Sequence, residues 1–390
     1  MKRLCLLSIC MAMCPISHAQ SSVTLYGRLD SGLEFQTGLP HGHLLSTQSG
    51  NLEASELGLQ GIEDLGGGLA AIFNLTMGID VNDGSTLGDF WGRGATVGLR
   101  SDRWGTFRMG YIGVHEIAGD SFDVDPERFQ WFGISTLVRG RNWSEAGNAL
   151  EYQSPEIHGL FFKGQYDLTN SPAWNAGNPG SGPGTIGQAQ GRSDGLEVGY
   201  SRDPAHLRVI YDEIRDPNGN FSNVYTASRS LLAGVTYEID PVTLYAGYQH
   251  LSAPAASNQG YFGSAPPPLR PQGVSLPATV DYAWLGALWK VTPFTWLTSA
   301  VYHANANGGN GNATLFTSGA TYALSKRTFL YTELGYVWNS STSNIGLGNG
   351  FSDPYGANSN DDPVHALPFN TNPNFGHGQF GASIGIVANF

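Results

Sequence analysis

The sequence predicts an all-β chain, a sixteen-stranded antiparallel transmembrane β-barrel, and three observations carry that expectation. Apolar and polar side chains alternate with period two along most of the chain after residue 21, the pattern of strands with one apolar and one polar face. The connections between these segments alternate between short and long. An export signal precedes them all.

Composition fits a single barrel. The 390 residues include 53 glycines, and 32 acidic residues face 20 basic ones for a net charge of −12. No internal linker divides the chain, and large barrels reach this length as one domain. Nucleic acid is excluded as a partner, because phosphate binding needs clustered lysines and arginines and no basic stripe is visible.

The N-terminus comes first. Lys2 and Arg3 lead into an apolar run from Leu4 to Met13, and Ser17-His18-Ala19 forms a small-residue cleavage site, so residues 1–19 are expected to be a signal peptide and 20–390 the barrel. The run is too short for a retained helix, which needs about 20 apolar residues. All three cysteines (Cys5, Cys10, Cys14) lie inside the signal. The mature chain therefore has no thiol for disulfide, metal or nucleophile chemistry.

Beyond the signal no segment is apolar enough for a membrane helix. The first strand carries Val23, Leu25, Leu29, Leu33 and Phe35 on one face, and Thr24, Tyr26, Arg28, Asp30, Glu34 and Gln36 on the other. Leu69, Ala71, Phe73, Leu75, Met77, Ile79 and Val81 share a face further on, and Phe380, Ala382, Ile384, Ile386, Ala388 and Phe390 do so at the end. Strands are expected near 22–37, 50–62, 67–82, 91–101, 105–115, 147–155, 158–169, 191–203, 205–215, 228–239, 242–253, 279–291, 294–305, 312–324, 328–339 and 377–390.

A soluble sandwich would share the alternation, so the connections decide. Seven are tight, such as Asp203-Pro204, Asp240-Pro241 and Ser325-Lys326-Arg327; eight are longer, several of them rich in Gly, Pro, Asn and Ser, including 170–190, 252–278 and 340–376. Short turns on one side and long loops on the other are the plan of an outer-membrane barrel, apolar outside and polar inside. Closure is obligatory in hydrocarbon, where an open edge would leave backbone groups unpaired. On that plan Glu56 and Gln60 face a wet lumen, as do Arg28, Asp30, Arg100 and Arg108. Trp104, Trp289, Trp296 and Phe390, near strand ends, read as interfacial anchors.

Five stretches, "SSVTLYGRLDSG", "GIEDLGGGLAAIFNLTMGID", "WGRGATVGL", "NALEYQSPEIHGL" and "ALSKRTFLYTELGY", resemble in order the signatures of the general porins of beta-proteobacteria and Neisseria. The resemblance spans the mature chain. It implies an outer-membrane homotrimer whose third external loop, here 116–146, folds inward to narrow each pore, and a passive channel for small hydrophilic solutes and ions. It also implies that the terminal Phe390 is the signal presented to the barrel assembly machinery. Outer-membrane lipid and lipopolysaccharide are the expected neighbours of the wall, and no cofactor is implied.

The chain departs from the family pattern where charge matters. Glu56 and Gln60 stand where relatives carry basic residues, Gly110-Tyr111-Ile112 replaces G-R-Q, and Glu151 replaces a basic residue before Tyr152. Basic residues before Phe390 are also missing, with Ala388 and Asn389 in their place. The inward loop carries Asp120, Asp123, Asp125 and Glu127 and ends on Arg139 and Arg141. Charge of one sign at a constriction biases permeation toward the other sign. The expectation is a channel less anion-selective than its relatives and preferring cations, with Glu56 and Glu151 as the leading contributors.

Other chemistries fit less well. Asp120-x-x-Asp123-x-Asp125 lacks the glycine and terminal glutamate of a calcium loop, and His41 and His43 have no third ligand, so no metal site is expected. No nucleophile elbow points to catalysis. A substrate-selective channel, and a surface enzyme or adhesin on a barrel scaffold, remain the alternatives.

Overall fold

The computed structural model describes residues 22–39, 42–113, 120–128, 132–137, 145–168, 192–215, 227–252, 277–347 and 372–390. The expected signal peptide, residues 1–19, and Arg139 and Arg141 lie outside the described residues. Eighteen strands follow in order: β1 (Ser22–Leu39), β2 (Gly42–Ser49), β3 (Glu56–Gly66), β4 (Leu69–Ile79), β5 (Thr86–Leu87), β6 (Gly94–Ser101), β7 (Gly105–Gly113), β8 (Glu145–Gln153), β9 (Leu160–Asp167), β10 (Arg192–Arg202), β11 (Ala205–Arg215), β12 (Ala227–Ile239), β13 (Val242–Ser252), β14 (Thr279–Thr292), β15 (Thr295–Ala306), β16 (Ala313–Ala323), β17 (Thr328–Asn339) and β18 (Gln379–Asn389). Among the described residues there is no α-helix, only 3-10 turns such as Asp120–Val124 and Ile134–Thr136.

Sixteen of these strands close a ring in which every neighbour is antiparallel, β1 pairing with β18 on one side and with β3 on the other. The remaining two are additions to the wall. β2 pairs with the upper half of β1, from Ser31 to Leu39, while β3 takes the lower half, Ser22 to Arg28. β5 adds a two-residue pairing to β4. The second barrel strand accordingly begins at Glu56, six residues later than expected, because residues 42–49 form a strand of their own and 50–55 turn inward. That turn is held by Asp30, whose Oδ2 accepts the backbone N–H groups of Leu52 (2.8 Å) and Glu53 (2.7 Å).

Alternation sends apolar side chains outward and polar ones into the lumen. Val23, Leu25, Leu285 and Ile384 are 58–66% exposed, whereas Asp30, Glu197 and Gln249 are fully buried. That inside-out distribution suits a wall solvated by lipid and would be unstable in water. Trp104, Trp289, Trp296 and Phe390 stay half exposed near the short-turn ends, where amphipathic rings anchor at an interface.

The seam of the ring carries the chain's last residue. Phe390 and Gly27 exchange both backbone hydrogen bonds, at 3.0 and 3.1 Å. The Phe390 ring covers Gly27 so closely that a Cβ there would lie 2.4 Å from Cζ. Only glycine admits that approach. Deleting Phe390 removes the ring's packing and two ladder hydrogen bonds, a loss of about 3 kcal/mol at the closing strand pair. The expected result is strongly reduced outer-membrane yield, measured by fractionation; equal yield of the deletion would contradict a role in assembly.

Candidate pore constriction

Register brings the first charged pair together. Arg28 in β1 stands opposite Glu56 in β3, and Thr24 opposite Gln60. Cross-strand neighbours on one face interact directly: Arg28 Nη2 lies 3.1 Å from Glu56, and Arg28 Nη1 lies 2.6 Å from Glu53 in the inward turn. Arg108 and Glu151 face each other on β7 and β8, at 2.7 Å. Glu151 is almost fully buried by this contact, while the Arg108 side chain stays 38% exposed. Gln60 is exposed, and Arg100 is exposed opposite Thr106, one row in from the short turn to β7.

Segment 120–128 then runs across the inward-pointing side chains of the opposite wall. Lys163 in β9 meets Asp120 at 2.6 Å, and Arg208 in β11 meets Asp123 at 2.5 Å. Trp284 Nε1 in β14 donates to the Val124 carbonyl at 2.8 Å, and Tyr302 Oη in β15 to Asp125 at 2.5 Å. Thr317 Oγ1 in β16 donates to Glu127 at 3.3 Å. Glycines make room for the segment: a Cβ on Gly234 would lie 2.5 Å from Val124, and one on Gly286 2.6 Å from Pro126. Phe132, Ile134 and Leu137 continue into an apolar cluster with Leu315, Val337, Ile345 and Leu347. Hydrophobic burial thus secures one end of the segment and ion pairs the other.

These contacts separate the acids into two groups. Asp123 is half exposed to the lumen. Asp30, Asp125 and Glu127 are buried instead. Asp30 holds the 50–55 turn and accepts Tyr331 Oη at 2.7 Å, and Asp125 accepts the Glu127 backbone N–H at 2.9 Å. All three were expected to line the pore or its constriction; they are buried, Asp30 beneath the 50–55 turn and Asp125 and Glu127 within segment 120–128. Burial pushes the Glu127 carboxyl up to about 7, against the lowering effect of the Thr298 and Thr317 hydroxyls. Burial also raises Asp120, but hydrogen bonding with Glu197 and the charges of Lys163 and Arg208 outweigh it and hold the carboxyl below its ordinary range.

Tyr111 stands opposite Ala95, in the row of Val97 and Met109 that faces outward. It does not share a face with Arg108. Conversely, Glu53, Arg128, Lys163, Glu197 and Arg208 join the charged network although none was singled out in the sequence. For Lys163, Glu197 and Arg208 strand parity was a usable signal, since each alternates with exposed apolar neighbours such as Phe162, Val198 and Leu207. Among the described residues no group of three or more His, Cys, Asp or Glu is arranged to hold a metal ion.

A closed ring of sixteen antiparallel strands thus surrounds a charged inner network. The model of the Gram-negative porin family matches residues 6–342. The chain belongs to that family. The porin is 28% identical over 362 residues to an outer membrane porin protein of Bordetella pertussis, a match covering 83% of this chain and 90% of the relative. Its fold superposes on an anion-selective porin from Comamonas acidovorans with a TM-score of 0.70, at 21% identity, over 95% of this chain and all of that one. The trimer form of OmpT from Vibrio cholerae follows at a TM-score of 0.58 and 14% identity, over 95% and 99% of the two chains. The porin is thus a channel protein of the outer membrane and not an enzyme.

Proposed function

We propose that this porin is a passive, weakly charge-selective channel for small hydrophilic solutes and ions, narrowed by segment 120–128 lying against the inner wall. The observation that carries the reading is the pairing of lumen charges. Three arginines (Arg28, Arg108, Arg128) meet three glutamates (Glu53, Glu56, Glu151) in direct ion pairs. Fixed charges that cancel within a few ångströms leave little net field for a passing ion. Anion selectivity belongs to the Comamonas relative by name, and here the glutamates oppose it. The same pairing weakens the case for outright cation preference, because Glu56 and Glu151 are each held by an arginine. The trimeric relative supports three copies per assembly, with lipid and lipopolysaccharide around it and the assembly machinery reading Phe390.

Purified protein in a planar bilayer tests this reading. Stepwise conductance that rises with salt without saturating is expected, with a small reversal potential in a salt gradient. Block by a single solute would instead favour a substrate-selective channel. Absence of conductance would overturn the channel reading.

A further inference from the structure

Glu53 sits in the inward turn between β2 and β3 rather than on a barrel strand, yet it bridges two arginines of the proposed constriction. Its two carboxylate oxygens bind different partners. Oε2 takes Nη1 of Arg28, on the wall, at 2.6 Å, and Oε1 takes Nη1 of Arg128, at the end of segment 120–128. The Glu53 side chain is only 8% exposed, against 25% for Arg28 and 52% for Arg128. The carboxylate is hidden and the guanidinium groups are wet.

Its position is fixed from behind. The Glu53 backbone N–H donates to Asp30 Oδ2, Ser55 Oγ donates to the Asp30 carbonyl at 3.0 Å, and Tyr331 anchors the other Asp30 oxygen. Arg28 is aimed in turn, its Nε donating to the Ala54 carbonyl at 2.9 Å. On the other side Arg128 adopts φ 55°, a left-handed conformation that disfavours a bulky side chain and persists where surrounding contacts dictate it. Two like charges approach only because a carboxylate lies between them. Without it they repel, and the end of the segment is the element free to yield.

We infer that Glu53 is a positioning residue for permeation, clamping Arg28 and Arg128 so that the first external connection sets the location and effective charge of the constriction. This rests on the channel reading above. It goes beyond that reading in assigning selectivity to a residue that is not on a barrel strand and is largely shielded from the permeating ion.

The test measures permeability ratios from reversal potentials of single inserted channels, so unfolded protein contributes no signal. Glu53→Asp keeps the charge but shortens the arm, so it cannot span both arginines. It is expected to shift the ratio toward anions with added open-channel noise, whereas a simple fixed charge would leave the ratio unchanged. Glu53→Gln is expected to shift it further, and that shift should shrink by about threefold or more in an Arg128→Gln background, since coupled residues are non-additive. An unchanged Glu53→Asp channel, or additive Glu53→Gln and Arg128→Gln effects, would overturn the clamp. A wild-type protein without conductance would overturn the channel reading itself, a separate outcome.

Discussion

Replacing Glu56 and Glu151 together by glutamine is expected to turn a weakly selective pore into a clearly anion-selective one. The substitution leaves Arg108 without its carboxylate and Arg28 with Glu53 alone, adding two net positive charges to the lumen. A pair of charges about 4 Å apart interacts by roughly 4 kcal/mol at an effective dielectric near 20, and salt with a Debye length of about 8 Å screens much of that. A surviving preference of about 1.4 kcal/mol is already a tenfold change in the permeability ratio. Glutamine is the right replacement at 151, since arginine there would bury a second cation beside Arg108, and an uncompensated buried charge costs about 3–5 kcal/mol. The measurement is the reversal potential across a gradient at low ionic strength. An unmoved potential in the double variant would show that these glutamates do not govern charge preference.

The second large effect is steric. Gly234→Val places a Cβ 2.5 Å from Val124, and overpacking of this kind costs about 1–3 kcal/mol. The wall strand is locked into its ladder from Ala227 to Ile239 by β11 and β13. The segment must therefore move. Displacement off the wall would strain the Trp284–Val124 hydrogen bond and the Arg208–Asp123 pair together, and single-channel conductance is expected to fall on the order of twofold as the segment is pushed further into the lumen. Gly164→Ala serves as the control, because an added methyl there meets nothing closer than 3.4 Å. Equal conductance in both variants at normal insertion would mean that segment 120–128 does not limit the flow.

The barrel was legible because its physics is periodic. An alternating face marks a strand wherever it occurs, so fifteen connections and a terminal strand could be read without tertiary knowledge, and β11 matches its expected span of 205–215. Arg28, Glu56, Arg108 and Glu151 were readable for the same reason. Parity put them on the lumen side, and the register then made them partners. Tyr111 was included from the family motif, although it differs by an odd number from Arg108 and parity alone places it outside.

Glu53 and Arg128 were invisible for a different reason. They sit in turns, whose placement depends on non-local anchors such as Asp30 and Tyr331, and nothing in their neighbours along the chain announces those contacts. The glycines beneath the segment were equally mute. In a sequence with 53 glycines, a residue that leaves space for Val124 reads like any other until both surfaces are known.

The seam between β1 and β18 has a consequence for biogenesis. Residues 28–36 pair with residues 381–389, so the first strand to emerge during translocation must wait for the last. Until they meet, both strands present unpaired edges that can template aggregation, and pairings this distant in sequence form slowly. No truncated chain can close this ring. The periplasmic lifetime of the open chain, rather than the stability of the finished barrel, then becomes the quantity that the cell has to manage.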